Sequence, residues 1–208
     1  MKKIILCDIG NTTADIFENG VCRKIVLTEF QPELLEGEMW YCCVNGSFSK
    51  ILGDLPNWHN IVPLIDWDKY YPTMGIDRIM VCEAIEDGVI VDVGSAITVD
   101  VMRDGVYQGG FISLGFRAAQ EAYARLSPAL SMSFNFEVDL TIMAKNTPDA
   151  ITVGFLAPLI QSIESYGNPI YVTGGDAHLL SLFLKEAIVD ETLIFKGMKK
   201  LIDKGSQC

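Results

Sequence analysis

Ile4-Ile5-Leu6-Cys7-Asp8-Ile9-Gly10 and Gly88-Val89-Ile90-Val91-Asp92-Val93-Gly94 carry one pattern, an apolar run closed by Asp-x-Gly. A small polar residue follows each copy, Asn11 or Ser95, and then a β-prone segment containing threonine, Thr12 and Thr13 or Thr98. Each of these second segments ends in a turn signal, Glu18-Asn19-Gly20 or Arg103-Asp104-Gly105. Asn-Gly and Asp-Gly favour short hairpins because both central residues tolerate positive φ. A third β-prone segment follows, Val21–Leu27 or Val106–Ile112. The chain therefore spells strand, tight turn, strand, hairpin, strand twice. The restart of the pattern divides the chain into two halves, 1–87 and 88–208.

Farther out, Phe116–Leu126 carries apolar residues at helical spacing. Thr147-Pro148-Asp149 reads as a helix start, with Thr147 as N-cap and proline in the first turn. That helix is expected to run to about Tyr166. A strand over Pro169–Val172, a helix over Ala177–Ile188 and a last strand over Thr192–Phe195 are expected to follow. This alternation argues α/β layering. Residues 28–75 contain Pro32, Pro56, Pro63 and Pro72, with short strands expected around Trp40–Val44 and Ile61–Ile65.

The chain has 208 residues, 50% hydrophobic and 21% charged, which suits a globular protein with a sizeable core. No apolar run reaches the ~18 residues that argue a membrane span. Met1-Lys2-Lys3 and the apolar residues after it resemble a signal peptide, but Asp8 breaks the run, so a first strand is expected. The formal net charge of -11 argues against a broad basic face for nucleic acid. Phosphate would need local donors and cations instead. The cysteines at 7, 22, 42, 43, 82 and 208 form no zinc spacing and read as reduced thiols of a cytosolic protein. His59 and His178 have no metal-ligand partner at helical spacing.

Asp8-Ile9-Gly10-Asn11-Thr12 closes a buried strand and opens a turn. Gly10 allows close backbone approach to a ligand, and the Asn and Thr residues supply donors for phosphate without net positive charge. Asp8 suits Mg²⁺, directly or through water. An ordinary strand-to-turn transition explains one such turn, but less readily the second copy at Asp92-Val93-Gly94-Ser95. Two turns of this kind make a polyphosphate clamp, as in the actin, hexokinase and Hsp70 architecture. Gly174 and Gly175, in Thr173-Gly174-Gly175-Asp176, can flank an adenine ring or meet the α-phosphate; a tight connection with Asp176 as N-cap is the plainer alternative. Gly75-Ile76-Asp77-Arg78 places a carboxylate beside a fixed cation. Asp77 can accept a hydroxyl proton and Arg78 can grip a carboxylate. Alternatively, the pair is a helix N-terminal Asp with a solvated Arg.

In order along the chain these motifs resemble those of the type III pantothenate kinases: Asp8-x-Gly10-Asn11-Thr12, Gly75-x-Asp77-Arg78 and Asp92-x-Gly94-Ser95-Ala96-x-Thr98-x-Asp100 come first. Gly109-Gly110-x-Ile112-x-x-Gly115, Asn146-Thr147-x-x-Ala150 and Thr173-Gly174-Gly175 follow. The resemblance implies a duplicated actin-like (ribonuclease H-like) α/β fold, with two similar halves around a nucleotide cleft. It implies ATP, Mg²⁺ and a monovalent cation, K⁺ or NH₄⁺. It also implies a cytoplasmic homodimer acting on pantothenate in the first step of coenzyme A biosynthesis.

Carried over by position, Asp8, Ile9, Gly10, Asn11, Thr12, Thr13, Ala14 and Asp15 match the ATP phosphate loop. Ser95 matches a second phosphate contact, and Asp92 matches the monovalent-cation ligand. Asp77 matches the proton acceptor. Gly75, Ile76, Asp77, Arg78 and Thr147 match pantothenate contacts. A substrate tyrosine precedes the Gly-x-Asp-Arg segment in the family; Tyr71 takes that place here, with Tyr70 as the alternative. Leu114 stands where the family commonly has proline, and residues 28–70 are short for the family. Two other readings remain open: another actin-fold small-molecule kinase, or a regulatory member without catalysis.

Overall fold

The computed structural model describes residues 4–205, so Met1–Lys3 and Cys208, with the expectations placed on them, lie outside the described residues. The chain forms two compact units. One runs through Glu86 and takes up the chain again from Thr192, and the other is Asp87–Glu191.

The first unit is built on β1 (Ile4–Ile9), β2 (Thr13–Glu18), β3 (Val21–Val26), β4 (Glu38–Cys43) and β5 (Trp58–Asn60), with α1 (Gly46–Gly53) and α2 (Ile76–Ala84). Its sheet has the order β3-β2-β1-β4-β5. The three-strand meander is antiparallel, and β1, β4 and β5 run parallel. Asn19 and Gly20 take φ of 50° and 83°, as the hairpin requires. Alternation sends Cys7 and Ile9 into a core shared with Ala14, Met39, Tyr41, Leu52 and Trp58. The opposite face carries Leu6, Asp8 and Phe17.

The second unit repeats that plan. It comprises β6 (Gly88–Val93), β7 (Ala96–Arg103), β8 (Val106–Leu114), α3 (Phe116–Leu126), α4 (Thr147–Ser165), β9 (Ile170–Thr173), α5 (Ala177–Ser181) and β10 (Ile188–Val189). Its sheet order is β8-β7-β6-β9-β10, with β6–β7–β8 antiparallel and β6, β9 and β10 parallel. Counted from the first strand of each unit, both sheets read third, second, first, fourth, fifth. The duplication seen in the Asp-x-Gly runs thus extends to strand pairing. Val89, Val91, Val93, Ile97 and Val99 pack against Leu156 and Ile163 of α4 and Phe116 of α3. No helix of the described residues is long and apolar enough to cross a membrane.

The chain departs from the expected layout at its end. Thr192–Phe195 does not form a strand; α6 spans Leu193–Gly205, and the last strand is β10. The β-prone Leu-Ile-Phe run belongs to a longer amphipathic pattern that buries Leu193, Ile194, Met198, Leu201 and Ile202. This helix packs on α2 and β1, and Phe195 stacks on Phe17 with ring centroids 4.9 Å apart. The second compact unit therefore ends at Glu191 rather than at 208. Residues 62–64 make a 3₁₀ turn where a strand over Ile61–Ile65 is expected, and α5 is shorter than Ala177–Ile188. Asn146, not Thr147, caps α4: its Oδ1 accepts from the Asp149 amide at 2.9 Å.

Candidate active site

In the first unit, Asp8 stands near the C-terminal end of β1, opposite Asp15 of β2 and beside Cys42 of β4. Directly opposed residues share a sheet face. The turn that follows is closed by the Gly10 amide donating to the Thr13 carbonyl at 2.9 Å. Asn11 and Thr12 are exposed, whereas Ile9 and Ala14 are fully buried, so at those two positions only backbone can face a ligand. Asp15 lies 3.4 Å from Lys24, and its Oδ1 is buried with no partner. Burial raises the Asp15 carboxyl above its ordinary value, with Lys24 opposing the shift.

The N-terminus of α2 comes to this same end of the sheet. Cys42 is fully buried, and its thiol is pushed well up, first by burial and then by the charges of Asp8 and Asp77. Asp77 lies in the first turn of α2, where its Oδ1 accepts from the Arg78 amide at 2.9 Å. A Cβ on Gly75 would meet Asp77 Oδ1 at 2.4 Å, so glycine leaves room for the carboxylate to fold back over the helix start. Ile76 is half-buried in the first turn. Arg78 is not a solvated arginine: it is 5% exposed and donates from Nη1 to the Tyr71 hydroxyl at 2.6 Å. Tyr71 is exposed, whereas Tyr70 is buried and donates to Glu83.

In the second unit three connections converge. Gly94 donates to Ala96 within the β6–β7 turn, Gly115 donates to the Ser95 carbonyl, and the Asp176 amide donates to the Val93 carbonyl. Gly174 has φ +91°, and a Cβ there would stand 2.3 Å from Asp92 Oδ1 and 2.6 Å from the Val93 carbonyl. A Cβ on Gly115 would stand 2.2 Å from the Gly94 carbonyl. The turn carrying Asp92 and Ser95 and the connection carrying Gly174 and Gly175 are thus one packed cluster, and Ser95 is exposed on it. Asp92 pairs across the strands with Thr98, whose Oγ1 is buried and finds no partner.

Thr147 is exposed at the start of α4. It lines a pocket of about 470 Å³ with Tyr123, Leu130, Lys145 and Ile151, a lining that includes no residue of the Asp92 turn. With Asn146 serving as cap, the Thr147 hydroxyl is not needed to close the helix. Both histidines are engaged elsewhere: His59 Nε2 is 2.7 Å from Glu38, and His178 Nε2 is 3.3 Å from Glu191.

The sequence reading missed Cys42 and Glu83 as neighbours of the site. Cys42 had a signal, since a strand entering beside β1 must place one residue against Asp8. Glu83 had only a weak one, a single acid inside the apolar stretch Ile79–Ile85.

Comparisons with known proteins are specific. The family model described as type III pantothenate kinase matches residues 64–168. A Sulfurimonas denitrificans protein named type III pantothenate kinase is 48% identical over 205 residues, covering 99% of this chain and 100% of the relative. A Campylobacter jejuni crystal structure, described as a Baf family transcriptional activator, is 35% identical with a TM-score of 0.89, covering 98% and 100% of the two chains. A Sinorhizobium meliloti structure described as a 2-dehydro-3-deoxygalactonokinase has a TM-score of 0.61 at 11% identity, covering 97% and 96%, a likeness of fold alone. Together with the repeated strand order, these likenesses show a duplicated actin-like α/β fold.

Proposed function

The chain belongs to the type III pantothenate kinase family, and from that premise we propose that its Asp-x-Gly turns hold ATP while Gly75–Arg78 present pantothenate to Asp77. The enzyme transfers the γ-phosphoryl group of ATP to pantothenate and gives 4'-phosphopantothenate, the first step of coenzyme A biosynthesis. The observation that carries the residue assignment is Asp8 beside Cys42 at the end of a sheet whose β4 packs against α2, the helix of Asp77, with Arg78 turned onto Tyr71. Ligands of open α/β sheets bind at the carboxyl ends of the strands, which is where this cluster lies.

The roles divide by chemistry. The exposed Asn11, Thr12 and Ser95 and the backbone of both turns offer donors to phosphate oxygens, and Gly174 and Gly175 border the nucleotide. Asp77 receives the proton of the primary hydroxyl. One of its oxygens is held by the helix backbone, which fixes the carboxylate for the task. Arg78 and Tyr71 orient the substrate, and Thr147 adds a further contact. Positioning and electrostatics supply most of the rate in phosphoryl transfer.

Among the described residues, no three carboxylate, thiol or imidazole groups gather as a metal centre. Mg²⁺ needs no such cage, because it keeps waters and substrate phosphates as ligands. Asp8, opposite Asp15 with its orphaned buried oxygen, suits that ion. Bound there, Mg²⁺ would neutralise charge on the phosphates. Asp92 with the orphaned Thr98 hydroxyl suits a weakly hydrated monovalent cation, K⁺ or NH₄⁺. A homodimer and a cytoplasmic location belong to the same reading.

The test is ADP release by the purified chain with pantothenate, against a panel of sugars and short hydroxy acids. Release that depends on pantothenate alone is expected. Equal or faster release with a sugar would favour another actin-fold small-molecule kinase.

A further inference from the structure

Glu83 lies near the end of α2 and is 5% exposed. A carboxylate this buried requires partners. Three groups meet it. The Tyr70 hydroxyl donates to Oε1 at 3.1 Å, Lys204 of α6 donates to Oε2 at 3.2 Å, and Lys69 Nζ lies 3.8 Å from Oε1. Tyr70 is itself buried. Burial first, and the Glu83 charge second, hold its phenol far above the ordinary value, so it stays a donor at every working pH.

The backbone at Tyr70 is extended, with φ −131° and ψ 156°. Neighbouring side chains on extended backbone point to opposite sides. Turning Tyr70 inward onto Glu83 therefore turns Tyr71 outward, where its hydroxyl accepts from Arg78 Nη1 and its ring lies 5.9 Å from the guanidinium carbon. Arg78 and Glu83 share α2, five residues and ~7.5 Å of helix apart. One rigid helix thus holds both Arg78 and the anchor that aims Tyr71 at it.

Stability alone does not account for a carboxylate here. Well-packed apolar residues in place of a whole buried charged cluster are often as stable or more so, although removing Glu83 alone would strand its partners Tyr70, Lys204 and Lys69. What Glu83 supplies beyond a methionine is direction: an acceptor for the Tyr70 hydroxyl, and through it a fixed course for the residue that follows.

We infer that Glu83, acting through Tyr70, is a positioning residue for the acceptor substrate, holding Tyr71 against Arg78 so that the two meet pantothenate as one preformed surface. The inference rests on the reading above that Tyr71 and Arg78 contact pantothenate.

Steady-state kinetics of the full chain, with ATP and pantothenate varied in turn, test it. Tyr70→Phe keeps the ring and removes the donor. It should raise the KM for pantothenate about tenfold, as expected for losing one hydrogen bond to a charged group, with kcat and the KM for ATP within about twofold. Glu83→Met should raise the same KM and, because it takes the acceptor from the buried Tyr70 hydroxyl, should also lower the melting temperature. Glu83→Gln, whose amide oxygen still accepts from Tyr70, should recover most of the loss. In a Tyr71→Phe background, Tyr70→Phe should add less than about twofold, because its effect runs through Tyr71. Tyr70→Phe or Glu83→Met that melts lower but leaves the pantothenate KM unchanged overturns the inference. A rise in both KM values together, or full additivity with Tyr71→Phe, does the same. Pantothenate turnover by the unsubstituted chain reports on the kinase reading separately, whereas the ratios among variants report on Glu83.

Discussion

Arg78 Nη1 donates to the Tyr71 hydroxyl at 2.6 Å, and the guanidinium carbon stands 5.9 Å from the centre of the same ring. The contact uses both properties that separate arginine from lysine, a planar fork of donors and a face that stacks on aromatic rings. Arg78→Lys keeps the charge and loses both. The KM for pantothenate should rise at least about tenfold, with the KM for ATP little changed. An unchanged pantothenate KM in the lysine variant would remove Arg78 from the substrate site.

Gly197 lies inside α6, where helix propensity favours alanine by ~1 kcal/mol. Packing decides the opposite sign. A Cβ at this position would stand 1.7 Å from the Met80 carbonyl oxygen of α2, a backbone atom that cannot swing away. Gly197→Ala should therefore destabilise the chain, by about 2 kcal/mol or more, the range of overpacked cores. Urea unfolding measures it. A more stable variant would mean that α6 does not press on α2 as closely as described.

Burial pushes the Cys7 thiol up to about 12 and, with Asp8 and Asp77 adding, the Cys42 thiol well above its usual value. Both folded-state values lie above the unfolded value of ~8.5. The stability these thiols contribute is thus complete below pH ~8.5 and is lost as pH rises toward the folded values. Urea midpoints should fall between pH 7.5 and 9.5, and less steeply for Cys42→Ala than for the parent. Equal slopes in the two chains would contradict the assignment.

Thr98 Oγ1 is buried without a partner across the strand pair from Asp92. Turnover should need K⁺ or NH₄⁺ and be weak in Na⁺ at matched ionic strength. Thr98→Val, nearly isosteric, should need more K⁺ for half-activation. It should also shrink the rise in melting temperature that K⁺ gives the parent, because a bound ion stabilises by mass action. Equal rates and equal melting temperatures in all three salts would count against a cation at Asp92.

Much of the fold was legible because the hairpin chemistry repeats: Asn19-Gly20 and Asp104-Gly105 each join two antiparallel strands. The C-terminal helix was harder. Its first residues, Leu193, Ile194 and Phe195, fit a strand in a short window, and only the longer period through Met198 and Leu201 marks a helix. Of the candidate site, the Asp-x-Gly turns and Gly75–Arg78 were visible as local motifs. The pinning of Tyr70 by Glu83 was not, because it joins two residues thirteen apart that share no local motif. Thr147 looked like a cap because threonine before proline usually is one, yet Asn146 is better placed to accept from Asp149.

The role proposed for the Asp77 carboxylate is to accept the pantothenate hydroxyl proton. Both histidines are committed to glutamates, and Asp8 and Asp92 are assigned to cations. Asp77→Asn is isosteric and leaves an oxygen to accept from the Arg78 amide. The direct measurement is kcat of purified Asp77→Asn with saturating ATP and pantothenate, beside ATP binding by the same protein. Unaltered ATP binding is expected, with a kcat at least about 10²-fold lower, the low end for a positioned base. Turnover within a few-fold of the parent, by a variant that binds ATP normally, would contradict it and leave Asp77 as a residue that only orients the substrate.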